Sequence, residues 1–252
     1  MSWGKKKCEF FTNKLQDFTF FPFKLLYNNN KIYLFKGDFS MADIINFTNS
    51  ERRKRGKERM YDNILKKLRE RKEKNEKFTI EDVENISKEI LSQSKYEKEK
   101  PIPIVKIAEN MGFKVFQQIL PQFLSGFIGI GKMTEKKFGH NKVICVNISD
   151  ELGHQRFVIG HELGHYLFDY DGISPEYYDT YLKDNHVEFN EKRANKFSAS
   201  LLMPFDDFQE EMSKIQKEKE DDAVDILKER FEVQDKAAAK RMVEVALNVK
   251  LQ

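Results

Sequence analysis

One helix constrains the fold of this chain more than any other segment. Residues 155–168 read QRFVIGHELGHYLF. Around a helix with this sequence, apolar side chains point in nearly every direction except that of His161 and His165. A helix that is apolar on so many sides is buried inside a protein. Because burying two neutral imidazoles without a partner is costly, the pattern predicts that something binds both histidines.

The spacing of the two histidines indicates what binds them. His161 and His165 are four residues apart, so they project from one face of the helix and can hold one metal ion. Glu162 lies about 100° further round the helix, near that ion but not bound to it. From there its carboxylate can accept a proton from a metal-activated water and pass it to a leaving amine. The sequence therefore predicts a zinc hydrolase site with Glu162 as the catalytic acid/base.

The third metal ligand is less directly encoded. One class of zinc peptidases places a glycine three residues after the second histidine and a third histidine three residues beyond it. This chain has Phe168 and Asp171 at those positions. Asp171 is an oxygen ligand by chemistry, but without the glycine the chain cannot turn back sharply. Asp171 is therefore the weaker alternative.

A glutamate from a later helix is the favoured third ligand. A helix predicted over 188–202 offers Glu188 and Glu191. Glu191 shares one face with Asn195 and Ser198, whereas Glu188 lies off that face. We therefore expect Glu191 to bind the metal and Asn195 to hydrogen-bond to a ligand from outside. Three protein ligands leave an open position for water, as in catalytic zinc sites.

Residues that would stabilise the transition state are not singled out by the sequence. His186, on the loop before the 188–202 helix, and Tyr178 are both candidates, and Tyr177 and Tyr181 remain alternatives to Tyr178. His154 lies two turns before His161 and is interpreted as structural.

The remaining pattern predicts an α+β fold, in which helices, including the HExxH helix, pack over a small sheet. Residues 18–36 resemble a hairpin around Asn28-Asn29-Asn30, and helical spacing covers 51–74 and 79–97. Residues 170–186 are predicted to form a loop. The other expected elements are strands at 113–119, 125–132 and 142–148 and helices at 104–110, 150–169, 205–216, 221–231 and 235–248.

Three regions follow from this pattern. A polar linker ends at Lys100, before Pro101 and Pro103, and places a domain boundary there. The expected regions are an N-terminal extension of unknown role containing a hairpin and charged helices (1–100), a zinc peptidase domain (101–220) and a C-terminal helical pair packed on it (221–252).

Composition narrows the location and the partners. Two cysteines cannot form a disulfide framework, no apolar run is long enough to span a membrane, and no signal peptide is recognisable, so a cytoplasmic protein is expected. Residues 51–77 carry 13 Lys/Arg and 6 Asp/Glu, a local charge of +7. A solvated helix is favoured over a nucleic-acid site there, because no aromatic residues alternate with the basic ones.

Two ordered motifs give the chain a family resemblance. The stretch QRFVIGHELGHYLF (155–168), followed by EKRANKFSASLLMP (191–204), resembles the paired motifs of the ImmA/IrrE metallopeptidases. The resemblance extends over about Ile102 to Leu247. It implies His161 and His165 as zinc ligands, Glu162 as general acid/base and Glu191 as third ligand. Departures from the family pattern are Gly160 and Ser198 in place of alanines, and Gln234 in place of a serine that would cap a helix.

The resemblance also implies a substrate class that spacing alone does not reveal. Members of the family act inside bacterial cells and cleave helix-turn-helix repressors of phages and mobile elements, which relieves repression of mobile-element or stress genes. The expected function is therefore a zinc endopeptidase of this anti-repressor type, with one Zn²⁺ per chain. The alternative is a regulatory binding protein in which the zinc site is structural or vestigial.

Overall fold

A computed structural model describes strands 23–28 and 31–36 and residues 61–182, 189–215 and 222–250. These residues contain six strands and nine helices, so the protein is of the α+β class. In chain order they are β1 (Phe23–Asn28), β2 (Lys31–Lys36), α1 (Asp62–Glu73), α2 (Ile80–Ser94), α3 (Ile104–Asn110), β3 (Lys114–Gln118), β4 (Leu124–Ile130), α4 (Lys132–Phe138), β5 (Lys142–Asn147), α5 (Leu152–Phe168), β6 (Tyr177–Leu182), α6 (Phe189–Leu202), α7 (Phe205–Ser213), α8 (Ala223–Phe231) and α9 (Asp235–Lys250).

The strands form one mixed sheet in the order β2-β1-β3-β5-β4-β6. Strands β3 and β5 are parallel, whereas the other neighbours are antiparallel. The α+β class and the predicted strands at 113–119, 125–132 and 142–148 are confirmed. The predicted hairpin is present as β1 and β2, although its turn at residues 29–30 lies outside the described part of the chain.

The predicted loop at 170–186 is wrong over six residues, because Tyr177–Leu182 forms strand β6. Strand β6 pairs antiparallel with β4, with Tyr177 opposite Ile130 and Leu182 opposite Leu124. Aromatic and β-branched residues such as Tyr178 and Thr180 favour extended structure. The partner strand is far away in the chain, so the pairing that stabilises β6 leaves no local pattern.

Helix α5 packs across the sheet and is buried along most of its length. Val158 and Leu163 are fully buried. At Gly126 on β4, a Cβ atom would lie 2.5 Å from Cγ1 of Val158 and 2.7 Å from the carbonyl oxygen of Cys145. The glycine thus permits the close approach of the sheet and the helix.

The helices before Pro101 contribute to the same hydrophobic core. Buried residues of α1 and α2, among them Leu68, Val83 and Ile90, cluster with Leu163 of α5 and Phe197 of α6. Helix α1 begins at Asp62, so residues 51–60 of the predicted 51–74 helix lie outside the described part of the chain. The boundary predicted at residue 100 therefore falls between helices whose apolar faces meet in one core.

The C-terminal helices α8 and α9 pack against the start of α5. Arg156 of α5 donates from Nε to the carbonyl of Glu232 (3.0 Å), between α8 and α9, and from Nη2 to the carbonyl of Ile102 (2.8 Å). Oε1 of Gln234 lies 2.9 Å from Nδ1 of His154. Gln234 thus makes a contact between helices. The structural role of His154 stays a prediction.

Among the helices that the structure describes, none combines the length and the apolar character needed to cross a bilayer.

Candidate metal centre

Two neighbouring helices, α5 and α6, bring the predicted metal ligands together. Their backbones approach closely at two positions one turn apart. A Cβ on Gly160 would lie 2.5 Å from Oγ of Ser198, and a Cβ on Gly164 would lie 2.9 Å from Cα of Ala194. Gly160 and Ser198, the two departures from the family pattern in these helices, therefore face each other. The small side chains let Glu191 of α6 reach the histidine face of α5.

His161, His165 and Glu191 form a buried cluster. One potential ligand atom from each residue lies within 4.8 Å of the other two. Nε2 of His161 is 3.4 Å from Oε2 of Glu191, and Nε2 of His165 is 3.6 Å from Oε1 of the same carboxylate. The three residues are at most 5% exposed. Two nitrogens and a carboxylate oxygen are the donor set of a His₂Glu zinc site.

The outer nitrogens of the two imidazoles are held in place. Nδ1 of His165 donates to Oδ2 of Asp169 (2.7 Å), and Nδ1 of His161 donates to Oδ1 of Asn195 (2.9 Å). In a neutral imidazole the second nitrogen then carries a lone pair. The two Nε2 atoms face each other at 2.8 Å. Two lone pairs at this distance repel, so a proton or a metal cation between them is required.

The electrostatics of the cluster are consistent with a bound cation. Burial would lower the pKa of His165, but the carboxylates of Asp169, Glu191 and Asp179 raise it well above its usual value. Burial, together with the neighbouring His165, lowers the pKa of His161 to about 4 although Glu191 raises it. Burial would raise the pKa of Glu191, yet the two histidines keep it below its usual range.

Further carboxylates surround the histidines. Oδ2 of Asp179 is 3.5 Å from Nδ1 of His165, and Asp169 forms a short ion pair with Arg193. Glu162 is fully buried, and its charge raises the pKa of His165 and of Tyr177. The residues present thus fit a divalent cation, because they combine convergent nitrogen lone pairs with a ring of anionic oxygens.

Strand β6 presents one face to this cluster. Successive side chains of a strand point to opposite faces, so Tyr177, Asp179 and Tyr181 share a face. The ring of Tyr181 packs edge-on against His161, with centroids 4.5 Å apart. Tyr178 lies on the other face, where its hydroxyl donates to Oε2 of Glu176 (3.1 Å) and accepts from Oγ1 of Thr134 (3.2 Å).

The remaining candidates are placed as follows. Asn195 lies beside His161, as the face argument predicted. The carboxylate of Asp171 accepts from the backbone amides of Ile173 and Ser174, both at 2.8 Å, and is not part of the cluster. His186 and Glu188 lie outside the described residues.

The sequence pattern did not point to Asp169, Asp179 or Arg193. Asp169 is four residues after His165 and so on the same helical face, which is a usable local signal. Asp179 needed the recognition of β6. Arg193 is two residues after Glu191, and only the packing of α6 beside the end of α5 brings it to Asp169.

Comparison with known protein families identifies the kind of domain to which the two helices α5 and α6 belong. Residues 123–243 match the model of the Peptidase M78 family, described as an IrrE N-terminal-like domain. The match extends from the start of β4 into α9 and includes both ligand-bearing helices. It therefore identifies a peptidase domain. More narrowly, residues 123–243 form a domain of the ImmA/IrrE type of metallopeptidase. A search of curated proteins gave no match.

Proposed function

We propose that this protein is a zinc-dependent endopeptidase whose metal is held by His161, His165 and Glu191. The observation that carries the proposal is the pair of Nε2 atoms, which face each other at 2.8 Å beside the carboxylate of Glu191. The Nδ1 atom of each imidazole is hydrogen-bonded, that of His161 to Asn195 and that of His165 to Asp169, as is usual for metal-ligating histidines. Such an arrangement is costly without a cation and favourable with one.

Zinc is the metal that best suits these donors. Imidazole nitrogens suit zinc and other first-row transition metals, whereas magnesium and calcium prefer sites made wholly of oxygen. Zinc bound at a site with three protein ligands supplies Lewis acidity that activates water. We therefore expect one zinc ion per chain.

The chain's own residues supply the proton transfer and the orientation. Glu162 is fully buried beside the cluster, so its carboxylate can accept the proton of the attacking water and donate it to the leaving amine. Tyr181 is the better placed of the tyrosines to donate a hydrogen bond to the developing oxyanion. Its ring packs against that of His161 with centroids 4.5 Å apart, and burial raises the pKa of its phenol, as do the charges of Glu191 and Glu162.

The substrate we propose is a helix-turn-helix repressor in the bacterial cytoplasm. The support for it is the match of residues 123–243 to an IrrE-like peptidase domain, together with the paired HELGH and ExxAN motifs of the sequence. Cleavage of such a repressor would induce genes of a phage, a mobile element or a stress response.

A single substitution tests the mechanism. Glu162→Gln keeps the shape of the side chain but cannot carry the proton, so we expect hydrolysis to slow by about 10²–10⁴-fold while the zinc content stays near one per chain. The assay would incubate the purified, zinc-loaded protein with candidate helix-turn-helix repressors, chosen first from genes neighbouring its own, and follow cleavage by gel and mass spectrometry. Glu151→Gln is the matched control, because Glu151 is exposed at the start of the same helix.

Two outcomes would contradict the proposal. Cleavage by Glu162→Gln at the wild-type rate would exclude Glu162 as the acid/base. If Glu162→Gln cleaves nothing and yet relieves repression in cells as well as the wild type does, the protein acts by binding, and its zinc site is structural or vestigial.

A further inference from the structure

A surface pocket of about 430 Å³ lies outside the metal cluster. It forms where the connection between α1 and α2 meets the end of α5 and the start of α6. Three aromatic rings supply its apolar wall, namely those of Phe78, Phe168 and Phe189. The proposed peptidase mechanism uses none of these residues.

The polar wall of the pocket is cationic. Lys72, Lys77 and Arg193 line it together with a carboxylate, that of Glu76. Glu76 is engaged by Arg71, whose Nε lies 3.1 Å from Oε2 of the carboxylate. Nζ of Lys72 donates to the carbonyl of Tyr170 (2.6 Å), a neutral acceptor. Burial, with a smaller contribution from Arg193, lowers the pKa of Lys72 to about 8, although Asp169 raises it.

Arg193 supplies a second, independent feature. Its side chain is more than nine-tenths buried. The guanidinium carbon lies 5.3 Å from the ring centroid of Phe168 and 5.5 Å from that of Phe189. One of its nitrogens, Nη2, donates to Asp169 and Asn190. The Nε–H group is buried, and no described residue accepts a hydrogen bond from it. Buried donors of this kind are rare in native proteins and call for a ligand or a water.

We propose that this pocket binds an anionic group, a carboxylate or a phosphate or sulfonate, carried on an aromatic or apolar body. The anion would face Lys72, Lys77 and Arg193, and the apolar body would pack against the phenylalanine rings. A charged donor and an anion form stronger hydrogen bonds than neutral pairs do. An anion here would also compensate two cationic side chains that are partly or largely buried side by side.

The pocket is connected to the metal cluster by two contacts. Arg193 pairs with Asp169, and Asp169 accepts from Nδ1 of His165 at 2.7 Å. An anion that binds Arg193 would weaken the ion pair between Arg193 and Asp169. The hydrogen bond from His165 to Asp169 would then shift, and the orientation of the His165 ring would change. This coupling rests on the proposed role of His165 as a metal ligand, whereas binding to the pocket does not.

Benzenesulfonate is a suitable probe, because its charge does not vary with pH and it is a poor metal ligand. We expect calorimetry on the full chain to detect its binding. Methanesulfonate, which lacks the aromatic body, and benzyl alcohol, which lacks the charge, should each bind at least tenfold more weakly. The three probes separate the cationic wall from the apolar wall.

Matched variants assign the binding to this pocket. Lys72→Met keeps most of the apolar stem and should weaken benzenesulfonate binding by tenfold or more. Lys66→Met removes the same charge from an exposed position on the same helix and should leave binding unchanged. Because Lys72 is partly buried, Lys77→Met at an exposed position provides a second variant that is expected to fold normally.

The source of the natural anion can be distinguished with a peptide. N-acetyl-Asp-Phe-amide binding more tightly than benzenesulfonate would indicate an acidic segment of a protein, and the reverse order would indicate a small molecule. The proposal is overturned if neither benzenesulfonate nor N-acetyl-Asp-Phe-amide binds, or if Lys66→Met and Lys72→Met weaken the binding of benzenesulfonate equally. A zinc affinity that benzenesulfonate leaves unchanged would refute the coupling to His165. Failure of the peptidase assay would leave the binding result unaffected.

Discussion

Helix α6 contributes to one buried and one partly buried cluster of charged groups, and the two clusters are stabilised in opposite ways. On one face, Glu191 and Asn195 meet the histidines of α5. On another, Lys196 and Ser200 meet a network of ion pairs. The first cluster gathers anionic oxygens around two imidazoles. The second balances its charges within the chain.

The ion-pair network joins three helices that are far apart in sequence. Glu84 of α2 accepts from Arg241 of α9, 157 residues away, and lies 2.9 Å from Nζ of Lys196. Glu244 pairs with Lys196 (2.8 Å) and Arg241 (3.1 Å). Arg241 also donates from Nε to the carbonyl of Met203 (2.9 Å). Two carboxylates thus face two cations, and the network needs nothing from outside the chain.

The contrast shows what distinguishes a site from a structural network. Buried charges are tolerated when they are paired and hydrogen-bonded. In the network every charge has a partner of opposite sign. In the cluster of His161, His165 and Glu191 the carboxylates face imidazoles, which are neutral unless protonated, so the balancing positive charge comes from a proton or from a bound metal cation.

The largest expected effect is on the free energy of unfolding, which zinc should raise through the cluster of His161, His165 and Glu191 and not through the ion-pair network. Free zinc at about 1,000 times its Kd should raise the free energy of unfolding by about 4 kcal/mol, because the folded state alone presents the assembled ligands. Urea titrations of metal-free and zinc-loaded protein would measure the increment. Glu191→Ala should lose most of it. An equal increment in Glu191→Ala would show that the zinc binds elsewhere.

A smaller effect is expected from breaking the network. Glu84→Ala leaves Arg241, which is 1% exposed, without its principal carboxylate, so the free energy of unfolding should fall by about 3 kcal/mol. Chemical denaturation measures the loss. Glu81→Ala, at an exposed position of the same helix, is the control. Zinc should stabilise Glu84→Ala by the same increment as the wild type, and restoration of the lost stability by zinc would contradict the independence of the two clusters.

The smallest effect concerns pH. Burial would raise the pKa of Glu84, but hydrogen bonds and charge from Arg241, with Ser200 and Lys196, lower it to about 2 from 4.5. A carboxylate whose pKa is lower in the folded state stabilises the fold above its unfolded pKa, and this contribution is lost as the pH falls. Stability of the metal-free protein should therefore decline between about pH 4.5 and pH 2, in part through Glu84.

The variant Glu84→Gln should flatten that decline when the two proteins are titrated in parallel. Identical pH profiles for the wild type and Glu84→Gln would show that other carboxylates account for the acid sensitivity.

Local spacing was sufficient to predict the two ligand-bearing helices and the residues that converge between them. The i, i+4 relation sets His161 beside His165, and the shared face of Glu191 and Asn195 follows from the same periodicity. The contact of Glu191 and Asn195 with the histidines of α5 depends on tertiary packing. The occurrence of the two motifs in this order nevertheless indicated it. The roles of these residues in catalysis stay predictions.

Contacts between distant segments were not predictable in this way. Strand β6 depends on pairing with β4, and its residue Asp179 was missed with it. Glu84 and Arg241 belong to amphipathic helices whose polar positions look solvated in sequence, and only their packing turns those positions inward. Sequence periodicity describes one element at a time, whereas these contacts require two or three.

The close contact of Gly164 with Ala194 has a consequence for how the protein can change over time. A methyl group added at position 164 would lie 2.9 Å from Cα of Ala194, so α6 would have to move outward and carry Glu191 with it. All the ligand residues would remain, yet the cage between them would widen. If His161, His165 and Glu191 bind zinc as proposed, larger ions such as manganese, which favour carboxylate donors, would then compete better with it. The metal preference of such a site would therefore change through a substitution that touches none of these three residues.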